Sequence, residues 1–322
     1  MNRPQFVRGM AAASAALAAA RAESAFGQAL PAVRVMMAEG DDATPTLYAA
    51  QSGLFRKYGL DVHVDAAPSG AVALAAVAGG SADIVGSSML PILSAHQRNV
   101  PLQIIAPLAV STPSGQYAAL LVKKDSAYRT GRDFAGTTIA SPALRDLNWV
   151  ATMAWIDANG GNSANVQSVE LPPSAIPAAL AAGRISASTV TTPRYVQALK
   201  AGDVRSLGDP YDAIGPRFLF AAIVTTAAFA QAHPDVVLNY GRAIRDASRY
   251  ANTHHADTLA LYASFAKLEV ADIGDAPRAQ SADYVDPKDL MPMIDVAVRY
   301  KVLDAPFDPR TLLAPGILKP GT

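Results

Sequence analysis

Residues 44–107 read TPTLYAAQSGLFRKYGLDVHVDAAPSGAVALAAVAGGSADIVGSSMLPILSAHQRNVPLQIIAP. An amphipathic run breaks at Gly53, and the connection GLFRKYGLDV leads into residues 61–65, whose apolar and polar side chains alternate as a strand requires. A small-residue turn at Ser69 and Gly70 opens a helix over 71–78, and the Gly79-Gly80 pair ends it. A short strand over 83–85, a helix over 90–97 and a strand over 102–110 follow. Upstream, 33–37 is an apolar strand emptying into Glu39-Gly40-Asp41-Asp42, and Pro45 suits a first helical turn because its missing N–H costs nothing there. Strands alternating with helices across short turns predict an α/β fold with a mostly parallel sheet.

The remainder repeats the theme. Strands are expected over 137–140, 166–171 and 185–190, and helices over 143–158 and 174–181. Residues 117–122 and 218–224 read as two crossings between lobes, and helices over 234–253, 257–268 and 287–300 are expected to lie on the first lobe. The predicted division is therefore a signal peptide over 1–29, the first part of lobe 1 over 30–120, lobe 2 over 121–222, and the second part of lobe 1 over 223–322. Two sheets joined by two crossings leave a cleft, and ligands of open parallel sheets sit at the carboxyl ends of strands, beside helix N-termini.

Composition narrows the class. The 322 residues are enough for two lobes. The 27 basic and 27 acidic side chains balance, which argues against a nucleic-acid partner. Arg3 and Arg8, an alanine-rich centre and Gly27-Gln28-Ala29 describe a secretory signal too short to span a bilayer. Cleavage there would remove Arg3, Arg8, Arg21 and Glu23, leaving 24 basic and 26 acidic groups. With no cysteine, neither disulfides nor a lipidated cysteine is available, so an untethered periplasmic protein is expected.

Candidate binding residues lie where strands hand over to helices. Ser69 and Gly70 can cap a helix or offer its N–H groups to an anion. Ser87 and Ser88 place two hydroxyls before the helix at 90, for capping or for a ligand. Ser141 can cap the helix predicted at 143, whose first turn would carry Arg145, either a donor pair for a carboxylate or sulfonate or a surface arginine. Thr191 and Thr192 end the third strand of lobe 2. Glu39 and Asp41, with Asp42, read either as receivers of an amine or hydroxyl or as a solvated loop. No nucleophile elbow, phosphate loop, dinucleotide motif or zinc-protease helix is present, so no enzyme, cofactor or metal is expected. His254 and His255 adjoin and would point apart on a helix.

The strand and helix order, with GLFRKYGLDV and GSADIVGSS, resembles the periplasmic solute-binding proteins of ABC importers, of the sulfonate, nitrate, taurine and thiamine-precursor (NMT1/THI5-like) type, from about residue 33 to about 303. The resemblance implies a two-lobed periplasmic binding protein fold, type II, acting as a monomer. It also implies that Ser87 and Ser88 line the pocket, that the ligand is a small organic anion, and that an ABC permease with its ATPase is the partner. A pyrimidine or other aromatic solute, and a sensor for a membrane signalling partner, are the alternatives. The family often has an acid before the proline where this chain has Thr192-Pro193. The related pyrimidine-precursor synthases use a cysteine-rich motif that this chain lacks.

Overall fold

The structure is a computed structural model and describes residues 30–317 other than 114 and 275. The expected signal segment, 1–29, lies outside the described residues.

The first half of the chain builds β1 (Ala32–Ala38), α1 (Thr44–Gln51), α2 (Leu54–Lys57), β2 (Asp61–Ala67), α3 (Gly70–Ala78), β3 (Ile84–Ser88), α4 (Met89–Gln97) and β4 (Leu102–Ser111). It then enters β5 (Ala118–Lys123), β6 (Thr138–Ser141), α5 (Leu147–Ala158), β7 (Gln167–Glu170), α6 (Ile176–Ala181), β8 (Ser188–Thr191), α7 (Arg194–Ala201) and β9 (Val204–Ser206). The last third supplies β10 (Phe218–Thr226), α8 (Ala227–Ala232), α9 (Pro234–Ala251), α10 (His255–Ala266), α11 (Val270–Ile273), β11 (Gln280–Ser281) and α12 (Met291–Arg299).

Lobe 1 holds a six-stranded sheet in the order β11-β4-β10-β3-β1-β2. β1 runs parallel to β2 and β3, as alternation predicted, but β10 is antiparallel to both β3 and β4. The sheet is thus mixed, because β10 enters from the other lobe and must run back across the gap. Its burial is complete from Phe218 to Thr225, which explains an uninterrupted apolar run instead of alternation. In lobe 2, β5 lies between β8 and β9, antiparallel to both. A parallel bridge from Ile139 to Ala187 joins that sheet to the parallel pair β6-β7.

The segments 112–117 and 207–217 connect the two sheets. Tyr117 stacks on Phe220 at 5.1 Å, and Tyr211 meets Phe218 and Phe220 edge-on or tilted, so both connections are anchored by one aromatic cluster. The lobe 1 core is continuous through this cluster with Leu147, Val150 and Ala151 of α5, while lobe 2 keeps two smaller cores of its own. A further tie crosses between lobes where Tyr300, just after α12, donates to Asp157 at 2.7 Å and stands edge-on to Trp149.

Candidate ligand-binding site

The carboxyl ends of β1, β2, β6, β7 and β8 converge on a cleft of about 410 Å³ between the lobes. Glu39 and Gly40 follow β1, Pro68 follows β2, and Pro142 and Asp146 follow β6. Thr189 to Pro193 end β8, and Arg194 opens α7. Tyr117 at the crossing and Tyr262 of α10 close the sides.

The donors on this wall are uncommitted. Arg194 forms no ion pair or hydrogen bond with another described residue, and neither do the hydroxyls of Thr191, Thr192, Tyr117 and Tyr262. Asn148 accepts from the Tyr211 hydroxyl at 3.1 Å through Oδ1, which turns its amide nitrogen free as a donor. Thr189, by contrast, is spent on Thr152 at 2.6 Å.

Of the residues expected from sequence, the structure places Glu39, Thr191 and Thr192 on the cleft wall. Glu39 is exposed and makes no bond to another described side chain. Asp41 is not in a solvated loop. It is 2% exposed, accepts from Arg278 Nε at 2.8 Å and from the Ala279 N–H at 2.6 Å, and holds Thr44 at 3.0 Å. Ser69 caps α3, its Oγ accepting from the Val72 N–H at 3.3 Å. A Cβ on Gly70 would fall 2.3 Å from Ser87 Oγ, so glycine is what lets the start of α3 rest on β3. Ser87 is buried and donates to the carbonyl of Ser88, and both serines belong to β3 itself, with no side-chain cap on α4.

The region after β6 departs most from expectation. Ser141 does not cap a helix beginning at 143. Asp146 is the cap, accepting from the Trp149 N–H and from Ser141 Oγ, each at 2.7 Å, and α5 starts at Leu147. Arg145 therefore lies outside the helix, with φ of 64°, and faces a different groove.

Three acids on or near the cleft wall, Asp42, Asp146 and Asp209, are shifted toward their neutral forms. Burial, and next the charge of Asp41, push Asp42 up to about 7. Burial likewise raises Asp146, and takes Asp209 up to about 6. Raising these acids lessens the negative charge beside the uncommitted donors.

Two lobes, parallel strand ends and a donor-lined cleft between them define a periplasmic binding protein fold. Residues 41–257 match the NMT1/THI5-like family model, and the chain belongs to that family. It superposes on the periplasmic aliphatic sulphonate binding protein SsuA from Escherichia coli with a TM-score of 0.75, at 18% identity over 91% of this chain and 95% of the other. The alkanesulfonate-binding protein SsuA from Xanthomonas axonopodis pv. citri, bound to MOPS, gives 0.68 at 20% identity over 90% and 97%. The periplasmic nitrate-binding protein NrtA from Synechocystis PCC 6803 gives 0.70 at 15% identity over 87% and 84%. No curated protein matches the sequence. No helix among the described residues is long and apolar enough to cross a membrane.

Proposed function

We propose that this chain is the periplasmic ligand-binding component of an ABC import system, taking a small organic anion of the sulfonate, nitrate or carboxylate class into the interlobe cleft and presenting it to a membrane permease and its ATPase. The observation that carries this reading is the set of uncommitted donors around the cleft: Arg194, the Asn148 amide, Thr191 and Thr192 from lobe 2, with Tyr117 at the crossing and Tyr262 from lobe 1. A ligand bonded to groups from both lobes stabilises the closed arrangement over the open one, because only there are all its contacts made. Capture and release need no covalent step, and no side-chain arrangement in the cleft is required to supply one.

A second reading, an aromatic solute such as a pyrimidine, is favoured by the unpartnered carboxylate of Glu39 and by the Tyr117 and Tyr262 rings on the same wall. Thermal-shift measurement against sulfonates, nitrate, carboxylates and pyrimidines separates the two. The anion reading expects stabilisation by one anion class, with affinity lowered about 10-fold or more in Arg194→Ala, the scale of one charge-assisted hydrogen bond. Stabilisation by pyrimidines alone would overturn it. Recovery of the bound solute unaltered, by mass spectrometry, is expected of a binding protein, and a converted product is the opposite result.

A further inference from the structure

A trough that shares only Asp146 with the cleft lining runs between α3 and α4 on lobe 1 and is closed at one end by the 143–146 turn of lobe 2. It encloses about 520 Å³, within the range of sites for small organic ligands. Leu74, Leu90, Leu102 and Val302 line it together with alanines of α3, so it offers little to water. Two guanidiniums stand at this apolar surface, Arg98 after α4 and Arg145 in the lobe 2 turn. Both are exposed, and neither makes an ion pair or hydrogen bond with another described residue. The one acid on the lining, Asp146, has its Oδ1 committed to Ser141 and to the Trp149 N–H, and burial raises its pKa. The trough thus combines hydrocarbon walls with two uncompensated positive charges, one from each lobe.

We propose that this trough is a second ligand site, for an amphipathic anion whose alkyl or aryl body lies along α3 and α4 and whose carboxylate or sulfonate meets Arg98 and Arg145. Each half of the match has its own cause. Apolar area leaves water along the helices, and a planar guanidinium presents paired donors to a carboxylate or sulfonate oxygen pair. A neutral chain of equal length gains nothing from the arginines, which stay hydrated, so charge sets the selectivity, and the exposed Leu144 and alanines of α3 set the affinity. The occupant touches both lobes. Its binding therefore also biases their arrangement and is coupled through it to the binding of whatever fills the cleft.

Fluorescence titration of the full chain with anilinonaphthalene sulfonate, followed by displacement with octanesulfonate and with octanol, tests the site. The expected result is saturable binding, displaced by octanesulfonate at about 10-fold lower concentration than by octanol. Arg98→Ala with Arg145→Ala is expected to weaken the probe about 10-fold or more, and Ala75→Trp, which fills the trough from an exposed helix position, to abolish its binding. Circular dichroism melts confirm that both variants fold. Arg194→Ala, on the cleft wall, is expected to leave unchanged the part of the probe's binding that the trough variants remove. Absence of saturable binding, indifference to the trough variants, or an equal loss in Arg194→Ala overturns the proposal, the last by assigning the probe to the cleft. Concentration-dependent dimerisation that excludes the probe also overturns it, because the trough would then be covered by a second copy.

Discussion

Asp42 lies close enough to three tyrosines for its charge to push up the phenols of Tyr117, Tyr211 and Tyr262, each already raised by burial. Its own pKa rises from 3.8 to about 7. An acid raised on folding means that the native state holds the extra proton between these two values, so stability falls as pH climbs through that window and is level above it. Asp42→Asn is therefore expected to remove part of the decline in melting temperature between pH 5 and 8. The same proton affects the cleft. An ionised Asp42, beside Tyr117 and Tyr262 of the cleft wall, repels an anionic ligand by about 1 kcal/mol, so affinity should drop about 5-fold from pH 6 to pH 8 in the wild type and fall less in Asp42→Asn. Identical pH profiles for the two proteins would remove Asp42 from the account.

At the scale of elements, the α3–β3 junction rests on a missing side chain. An added Cβ at Gly70 would meet Ser87 Oγ at 2.3 Å, Cβ at 3.1 Å and Cα at 3.2 Å. Gly70→Ala is expected to lower stability by about 1–3 kcal/mol, the usual cost of overpacking, by denaturant titration. Adding Ser87→Ala removes the nearest clash and should return part of the loss, whereas purely additive losses would show that the two sites do not touch. This turn was legible in Ser69-Gly70, as were the strands around it, because small residues between two periodic runs leave few alternatives. The start of α5 was not. Ser141-Pro142-Ala143 imitates a cap followed by proline in the first turn, but Asp146 is the better cap because its carboxylate serves both the Trp149 N–H and Ser141. Arg194 carried a readable signal, a cation at the first position of a helix after a strand end. Tyr262 carried none: it reaches the cleft from α10, far along the chain from Glu39, and only the tertiary fold joins them.

Over the whole molecule, lobe 1 is assembled from two stretches of chain separated by lobe 2. Asp41 and Arg278, 237 residues apart, tie these stretches together in an interior pair whose side chains are 2% and 7% exposed. Asp41→Ala strands a buried guanidinium and is expected to cost about 3–5 kcal/mol. Calorimetry should show the loss falling on the transition that melts lobe 1, with lobe 2, whose strands β5 to β9 are contiguous, shifted less. A uniform shift of a single transition would mean that the aromatic cluster at the crossings fuses both lobes into one cooperative unit.

The placement of β10 between β3 and β4 also orders events in time. When β3 and β4 leave the ribosome, the strand that must hydrogen-bond to both has not yet been synthesised, and it follows only after the entire second lobe. Until then the ten-residue apolar edge of β4 and the shorter edge of β3 stand open to any other extended peptide. The central sheet of lobe 1 therefore closes only after the whole of lobe 2 has been made, with close to a hundred residues still to follow.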